Sequence, residues 1–295
     1  MSALSVILVN YNGGSVIIDA IRSVIDTTVG MDIQIIVADN ASSDGSLIAI
    51  KDSFGDRVLV VEMGRNAGFA AANNAGIRKA SSDFILFLNP DTIVLEGAIQ
   101  SMLDYLHTHP EAGACGGNLY SRMMQPQFSY WTLLPGARME WNGLFSDIFL
   151  HRKHKGSYEH NFTGQPKEVA YVMGADLMVR KAVIDQVGMM DEDFFLFYEE
   201  TELCYRIRKA GYDVVNIPQA KIIHLEGQTI DKMQIRRSQM MRSRAIYLRK
   251  CCSAGERIAA NTILGLSAFL RVVWFGLRGN GMKKDFWKYT LHHIC

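Results

Sequence analysis

The chain has 295 residues, of which 48% are hydrophobic and 21% charged, and its formal net charge is +1. This composition supplies enough apolar material for a substantial core and excludes a disordered chain, while the near-neutral charge argues against a strongly basic nucleic-acid-binding protein. The five cysteines fall at irregular spacings, which predicts neither a disulfide framework nor a zinc site and favours a reducing compartment.

The charge is distributed unevenly along the chain. Residues 232–295 carry 13 Lys and Arg against two Asp and Glu, whereas residues 1–231 carry 18 basic and 28 acidic side chains. An acidic body with a basic tail indicates two parts with different tasks. No basic region precedes the first apolar run, and the longest uncharged apolar run, Ile258–Leu270, has only 13 residues. We therefore expect no signal peptide, no spanning helix and a cytoplasmic location.

The first 90 residues alternate short β-branched runs with segments of helical periodicity. The predicted strands cover 4–9, 33–38, 58–62 and 84–88, and the predicted helices cover 15–28, 46–54 and 69–80. Alternating strands and helices predict βαβ units on a mostly parallel, Rossmann-like sheet flanked by helices. The strand runs are nearly all apolar, as expected for a sheet that is covered on both faces.

The remaining elements are less regular. The pattern dissolves over 113–167, which we interpret as an irregular insertion. A strand-like run at 169–179 follows, then helices near 181–187 and 199–210 and short strands at 214–217 and 221–224. We expect one α/β domain over 1–231 and a basic helical extension over 232–295.

Unusual polar residues follow each of the four early strands. Tyr11 and Asn12 follow the first strand, Asp39 ends the second, Arg65 and Asn66 follow the third, and Asn89 and Asp91 follow the fourth. Asn and Asp are also ordinary turn and cap residues, so any single pair carries little weight. Four such ends meeting at one edge of a parallel sheet predict a ligand site there.

A nucleotide at this edge would be held without the common phosphate loops. The first strand is not followed by G-x-G-x-x-G, and the chain has no G-x-x-x-x-G-K-[ST] motif. Asp39 could instead accept hydrogen bonds from the base, while a metal carries the diphosphate. Mg²⁺ and Mn²⁺ prefer oxygen ligands, and Asp91 is the natural carboxylate anchor.

A second cluster, Asp191–Glu202, places carboxylates directly after a run of aromatic residues. Glu199 and Glu200 open a predicted helix, and acids at a helix N-terminus also simply complement its dipole. A carboxylate beside apolar rings has a raised proton affinity and can act as a general base. His224 ends a predicted strand, although a single histidine is more often structural than a ligand.

Taken in order, these motifs resemble family-2 inverting glycosyltransferases, in particular the bacterial rhamnosyltransferase-like branch. The similarity extends from about residue 4 to residue 250, and the combination is specific although each motif alone is weak. The segments that carry it are Val9–Asn12, Ala38–Ser46, Arg65–Gly76, Phe87–Thr92, Gly174–Arg180, Asp191–Arg206 and His224.

The resemblance implies a GT-A fold, a nucleotide-diphosphate sugar donor, and Mn²⁺ or Mg²⁺. It places Tyr11, Asn12 and Asp39 at the nucleobase, and Arg65, Asn66, Asn73 and Asn89 along the donor site. It places Asp91 and His224 at the metal, and Gly174, Ala175 and Asp176 on the acceptor side. Glu200 is then the catalytic base. Two positions depart from the family pattern. Asn89 replaces a common Asp, and Glu200 replaces the usual Asp and reaches one methylene further, so Glu199 is the alternative base.

We therefore expect a metal-dependent hexosyltransferase that moves a sugar, rhamnose for example, to a glycan or polyprenyl-linked acceptor in bacterial surface polysaccharide synthesis. The alternatives are a sugar nucleotidyltransferase and a non-catalytic sugar-nucleotide-binding protein.

In the tail, Arg257, Arg271 and Arg278 differ by multiples of seven and share one helical stripe, and apolar residues occupy much of the rest. This pattern indicates an interfacial helix or one packed on the core. The excess of basic residues favours peripheral contact with the inner face of the cytoplasmic membrane. The alternative is packing on the catalytic domain or in a homodimer. No nucleic-acid recognition module is visible.

Overall fold

A computed structural model describes residues 4–146, 159–225 and 233–294. The chain divides into two compact units. The first comprises Met1–Thr132 and Gly156–Met233, and the second comprises Leu133–Lys155 and Gln234–Cys295. The first unit holds the sheet, and the second is built from helices.

The strands and helices occupy the following ranges. The strands are β1 (Leu4–Asn10), β2 (Ile33–Asp39), β3 (Val58–Glu62), β4 (Phe84–Leu88), β5 (Thr92–Val94), β6 (Ala112–Tyr120), β7 (Tyr130–Trp131), β8 (Lys167–Glu168), β9 (Tyr171–Val172), β10 (Asp176–Arg180) and β11 (Asp213–His224). The helices are α1 (Val16–Thr27), α2 (Ser46–Phe54), α3 (Phe69–Ile77), α4 (Ala98–Thr108), α5 (Ala137–Ser146), α6 (Lys181–Val187), α7 (Glu199–Lys209), α8 (Met233–Cys251), α9 (Ala254–Leu277) and α10 (Gly281–His292).

The main sheet has the order β3-β2-β1-β4-β10-β6-β11-β5, and β8 also pairs with β11. The first four of these strands are parallel, whereas β10 runs antiparallel to both β4 and β6. The predicted α/β class, with its Rossmann-like half and C-terminal helices, is confirmed. The alternation of early strands and helices did not predict that β10 runs antiparallel to its neighbours.

The core lies on both faces of the sheet. Strands β1 and β4 are buried along their whole length, because α1 and α4 pack on one face and α3 contributes to the other. Helix α1 buries Ile17, Ala20, Ile21 and Val24, a spacing of three and four residues that forms one apolar stripe. This packing fixes the strand ends, and with them the polar residues that follow.

The prediction of an irregular segment from residue 113 is wrong at its start, because Ala112–Tyr120 forms the buried strand β6. Glycines lower the strand propensity of this stretch, which obscured it. A Cβ on Gly117 would collide with the carbonyl oxygen of Ala220, and one on Gly113 would lie 2.7 Å from the Cβ of Tyr212. The glycines thus permit a close approach of neighbouring chain segments.

The strands predicted at 214–217 and 221–224 are one strand, β11. Its pairing with β6 shifts register between Ile217 and Lys221, around Pro218. Proline has no N–H to donate and is found at such irregularities. The long β11 carries His224 to the end of β5, where His224 pairs with Thr92.

The second unit contains α5, α8, α9 and α10. Buried Arg244 pairs with Glu140 of α5 at 2.9 Å, and buried Arg271 donates to the Gly143 carbonyl at 2.6 Å. Arg271, one of the three arginines that recur at multiples of seven, is therefore buried within the helical unit. Within the described residues, α9 alone is long and apolar enough to cross a membrane, a test that core helices of soluble proteins also pass.

Candidate active site

The sheet register brings the predicted site segments to one edge. Asn10 pairs with Asp39, Leu8 pairs with Leu88, and Leu88 pairs with Asp176 of the antiparallel β10. The carboxyl ends of β1, β2 and β4 therefore meet the amino end of β10. Polar residues that are up to 166 positions apart in the chain converge because these four strands are neighbours.

At the carboxyl ends of β1 and β2, Asp39 is buried, and both oxygens of its carboxylate accept hydrogen bonds from other groups of the protein. Its Oδ1 accepts from Asn10 Nδ2 at 2.8 Å, and its Oδ2 accepts from the Ser42 N–H at 3.0 Å. Asn12, with φ of 53°, is exposed, as is Tyr11. The predicted base-binding residues are thus adjacent, with Asp39 as the fixed member and Tyr11 on the surface.

The predicted donor residues after β3 differ in exposure to solvent. Arg65 and Asn66 are exposed, and Asn66 Oδ1 caps the Gly68 N–H at 3.1 Å. Asn73 is buried in α3, where its Nδ2 donates to the Phe69 carbonyl at 3.1 Å. Its Oδ1 is buried without a hydrogen-bond partner among the described residues. Such an unsatisfied polar atom is uncommon in a folded core, and this oxygen retains the capacity to accept a hydrogen bond.

Asn89, Asp91 and His224 form a compact group at the end of β4. The Nε2 of His224 lies 3.4 Å from Asp91 Oδ1 and 3.4 Å from Asn89 Nδ2. Both Asp91 and His224 are largely buried, with side-chain exposures of 6% and 12%. The β5–β11 pairing holds His224 in place, and the Leu225 N–H donates to the Asp91 carbonyl at 2.9 Å.

A carboxylate oxygen and an imidazole nitrogen at this spacing are donors that Mn²⁺ accepts. Within the described part of the chain, no group of three or more His, Cys, Asp and Glu side chains forms a complete metal site. Asp91 and His224 therefore fit a divalent ion only if it takes further ligands from elsewhere, such as phosphate oxygens. The predicted pair is brought together, and its ability to bind metal remains a prediction.

The acceptor-side segment lies directly beside this group. The Asn89 N–H donates to the Ala175 carbonyl at 3.0 Å, which ties the end of β4 to the start of β10. Asp176 is fully buried and accepts the Gly117 N–H at 2.6 Å. Burial raises the pKa of Asp176 to about 7, although the Gly117 hydrogen bond and the charge of His224 oppose this shift. Asp176 is therefore part of the wall of the site and not an open ligand.

Glu200 lies against Gly174, because a Cβ on that glycine would be 3.2 Å from Glu200 Cγ. Glu200 is partly exposed, whereas Glu199 is buried with an Oε2 that lacks a hydrogen-bond partner among the described residues. Burial raises the pKa of both carboxyls, and the charge of Glu200 raises that of Glu199 further. Two neighbouring acids that resist ionisation suit proton transfer, and Glu200 is the accessible one.

The backbone immediately before this pair is strained. Phe197 and Tyr198 have φ of 68° and 72°, which bulky side chains rarely adopt. Each such residue costs about 1–3 kcal/mol, and strain of this kind is concentrated at functional sites. The two residues turn the chain so that α7 begins at Glu199.

Two residues that the sequence analysis missed hold the segment before this turn. Asn74 binds both the N–H and the carbonyl of Met190, at 3.0 and 2.8 Å, and also Glu192 at 2.9 Å. Arg206 donates to the carbonyls of Val187, Gly188 and Met189 while paired with Glu202. Asn74 stands inside one of the recognised motifs, but only the fold shows its partner 116 residues away.

Comparison with known proteins supplies an independent view of the chain. Residues 5–188 match the family model described as "Glycosyl transferase family 2". An N-acetylglucosaminyl-diphospho-decaprenol L-rhamnosyltransferase of Mycobacterium tuberculosis is 26% identical over 65% of this chain and 66% of its own length. A dTDP-rhamnosyl transferase of Shigella flexneri is 27% identical over 73% of this chain and 71% of its own length. The chain thus spans about two thirds of the length of these curated relatives.

A solved structure shares the fold over nearly the whole chain. It is a mannosyltransferase from Pyrobaculum calidifontis in complex with GDP-Man and Mn²⁺. The TM-score is 0.62 at 16% identity, and the match covers 99% of this chain and 85% of the other. At this identity the likeness concerns the GT-A fold alone.

Proposed function

The chain belongs to glycosyltransferase family 2, and on that premise we propose that it moves a hexose, rhamnose first among the candidates, from a nucleoside-diphosphate donor. The acceptor is a glycan or a polyprenyl-linked sugar in bacterial surface polysaccharide synthesis. One observation carries this proposal: a partly exposed, hard-to-ionise carboxylate, Glu200, borders the same sheet edge as the Asp91–His224 pair. The Mycobacterium and Shigella relatives, by their names, transfer rhamnose.

The proposed reaction is a direct displacement. Glu200 takes the proton from the acceptor hydroxyl as its oxygen attacks the anomeric carbon of the donor sugar. The nucleoside diphosphate leaves from the opposite side, so the anomeric configuration inverts. Gly174 has no side chain, which lets the Glu200 side chain lie directly against the backbone there. A base positioned in this way typically contributes about 10²–10⁴-fold to the rate.

Asp91 and His224 are the residues that would hold Mn²⁺ or Mg²⁺, with Asn89 alongside. A bound divalent ion supplies positive charge for the diphosphate leaving group. Asn89 leaves the protein with one carboxylate fewer at this position than a pair of aspartates would provide. Asn73, Arg65 and Asn66 line the donor path in this proposal, and Tyr11, Asn12 and Asp39 define the nucleotide end.

A polyprenyl-linked acceptor would place the enzyme at the inner face of the cytoplasmic membrane. Residues 232–295 carry 13 basic and only two acidic side chains, and this positive charge supports peripheral association through the C-terminal helices. The same helices could also pair in a homodimer, and the size of the protein in solution would distinguish the two arrangements.

The test is a transfer assay with the full chain, Mn²⁺, and a panel of nucleotide sugars that includes dTDP-rhamnose. The acceptor is N-acetylglucosamine linked to a polyprenyl diphosphate, and mass spectrometry measures the product. We expect one added sugar with equimolar release of nucleoside diphosphate. Donor binding without transfer to any acceptor would favour a binding protein, and formation of a nucleotide sugar from sugar phosphate and nucleoside triphosphate would favour a nucleotidyltransferase.

A further inference from the structure

Helix α9 has two faces of opposite character. One face packs inside the helical unit and buries Ala260, Leu264, Ser267, Ala268 and Arg271. The other face is exposed and carries six large apolar side chains, with Phe269 at 54% and Leu277 at 82% exposure. The six are Ile258, Leu266, Phe269, Leu270, Val273 and Leu277.

These six side chains lie along one side of the helix, and this side is here called the α9 apolar face. At 100° per residue they all fall within about 120° of one another around the helix, and they extend for about 30 Å along it. The one charged residue between Ile258 and Leu277 is Arg271, which is buried on the opposite face. Soluble proteins seldom leave a contiguous apolar surface of this size in water, so the face is suited to an apolar partner.

Several arginines of the tail are used inside the helical unit. The guanidinium carbon of Arg271 lies 4.4 Å from the Trp287 ring centroid, and that of Arg237 lies 3.4 Å from the Phe286 centroid. Exposed cations lie before and after α9 in the chain. They include Arg249 and Lys250 before the helix, and Arg278, Lys283, Lys284 and Lys288 after it.

We propose that the α9 apolar face docks on a lipid bilayer that contains anionic headgroups. The helix lies along the surface, with its apolar side chains among the acyl chains and the flanking cations at the headgroups. It does not span the bilayer, because α5 and α10 pack on its other face, where Arg271 bonds to α5. The proposal rests on the proposed function, in which the acceptor is anchored in such a membrane.

The choice of lipid over protein follows from charge. An apolar stripe alone would suit a second copy of the chain equally well. Two copies of α9 placed face to face, however, would bring like-charged lysines and arginines together at both ends. An anionic surface supplies the complementary charge, worth about 1 kcal/mol for each cation near the headgroups.

The experiment is flotation of the full chain with vesicles of phosphatidylcholine, with and without 30% phosphatidylglycerol. We expect wild-type protein to float with the anionic vesicles and much less with neutral ones. Phe269→Glu should weaken binding at least about tenfold, because a charge replaces a side chain buried in lipid. Lys283→Gln with Lys284→Gln should reduce the preference for anionic vesicles. Val29→Glu, at an exposed apolar residue of the sheet unit, is the matched control and should float as wild type does.

Three outcomes would overturn the proposal. The first is wild-type protein that stays unbound with both vesicles. The second is a Phe269→Glu variant that floats as wild type does. The third is a dimer that Phe269→Glu converts to a monomer without any vesicle binding, which would assign the face to a second copy. Since flotation needs no sugar transfer, its failure is distinguishable from failure of the glycosyltransferase assay.

Discussion

At the scale of single residues, the Glu199–Glu200 pair sets the pH dependence. Burial raises the pKa of Glu200 above its ordinary value of 4.5, so its carboxylate forms only at higher pH. As the proposed base must be ionised, kcat should rise with pH through this raised pKa. Measured pH–rate profiles should show an acid limb above that of an ordinary glutamate. A rate that is flat down to pH 4.5 would contradict a base of this kind.

The raised pKa of Glu199 makes the folding stability of the protein depend on pH. Because its folded-state pKa is raised, ionisation opposes folding, and stability is lost as pH rises through that pKa. Glu199→Gln should therefore stabilise the protein above the raised pKa and leave it nearly unchanged below. Thermal unfolding at several pH values measures this difference.

Asp91 is the residue on which the predicted metal site depends. Asp91→Asn keeps the size of the side chain and removes the charge that lies 3.4 Å from His224. We expect donor binding in the presence of Mn²⁺ to weaken at least about tenfold, the loss of one charge-assisted contact. Titration calorimetry with and without Mn²⁺ measures the effect. Asp104→Asn, on the exposed surface of α4, should leave the titration unchanged, and an Asp91→Asn titration equal to wild type would exclude Asp91 as a ligand.

At the scale of elements, the segment that leads into α7 is held from α3. Asn74→Ala removes three hydrogen bonds and leaves the buried Met190 backbone groups unpaired. We expect a loss of about 2–3 kcal/mol in the free energy of unfolding. Asn142→Ala, at an exposed position of α5, should change it by less than about 0.5 kcal/mol. Equal denaturation midpoints for the two variants would show that Asn74 does not hold this segment.

Elements with strong local patterns were predictable from the sequence. Strands β1 to β4 and helices α1 and α2 closely match the predicted ranges, because their apolar periodicity is set within a few residues. Strand β6 was missed, because its glycines are required by close contacts with residues such as Ala220, which lie far along the chain. A pattern within one segment does not show what packs against it.

The candidate site, too, was predictable only in part from the sequence. The strand-end rule identified Asp39, Asn89 and Asp91, and the register does bring their strands together. It did not show that Asp39 is already bonded to Asn10 and Ser42, nor that Arg65 is exposed. Asn74 and Arg206 were overlooked because their partners are carbonyls and N–H groups, which any sequence contains.

At the scale of the whole molecule, the acidic and basic parts of the sequence correspond to different structures. The family resemblance predicted from the ordered motifs is confirmed by the match over residues 5–188. The basic part is helical, but Arg271 of the predicted arginine stripe is buried and stacks on Trp287, and Arg278 stacks on Trp274. The exposed feature of that part is instead an apolar helix face, which composition and net charge did not reveal.

The central claim is that Glu200 is the base of an inverting sugar transfer. The most direct measurement compares wild-type protein with Glu200→Gln in two assays on the same preparation: donor binding by calorimetry and sugar transfer by mass spectrometry. We predict donor affinity within about twofold of wild type and a turnover reduced by about 10²–10⁴-fold. Turnover equal to wild type in Glu200→Gln, with donor affinity unchanged, would contradict the claim.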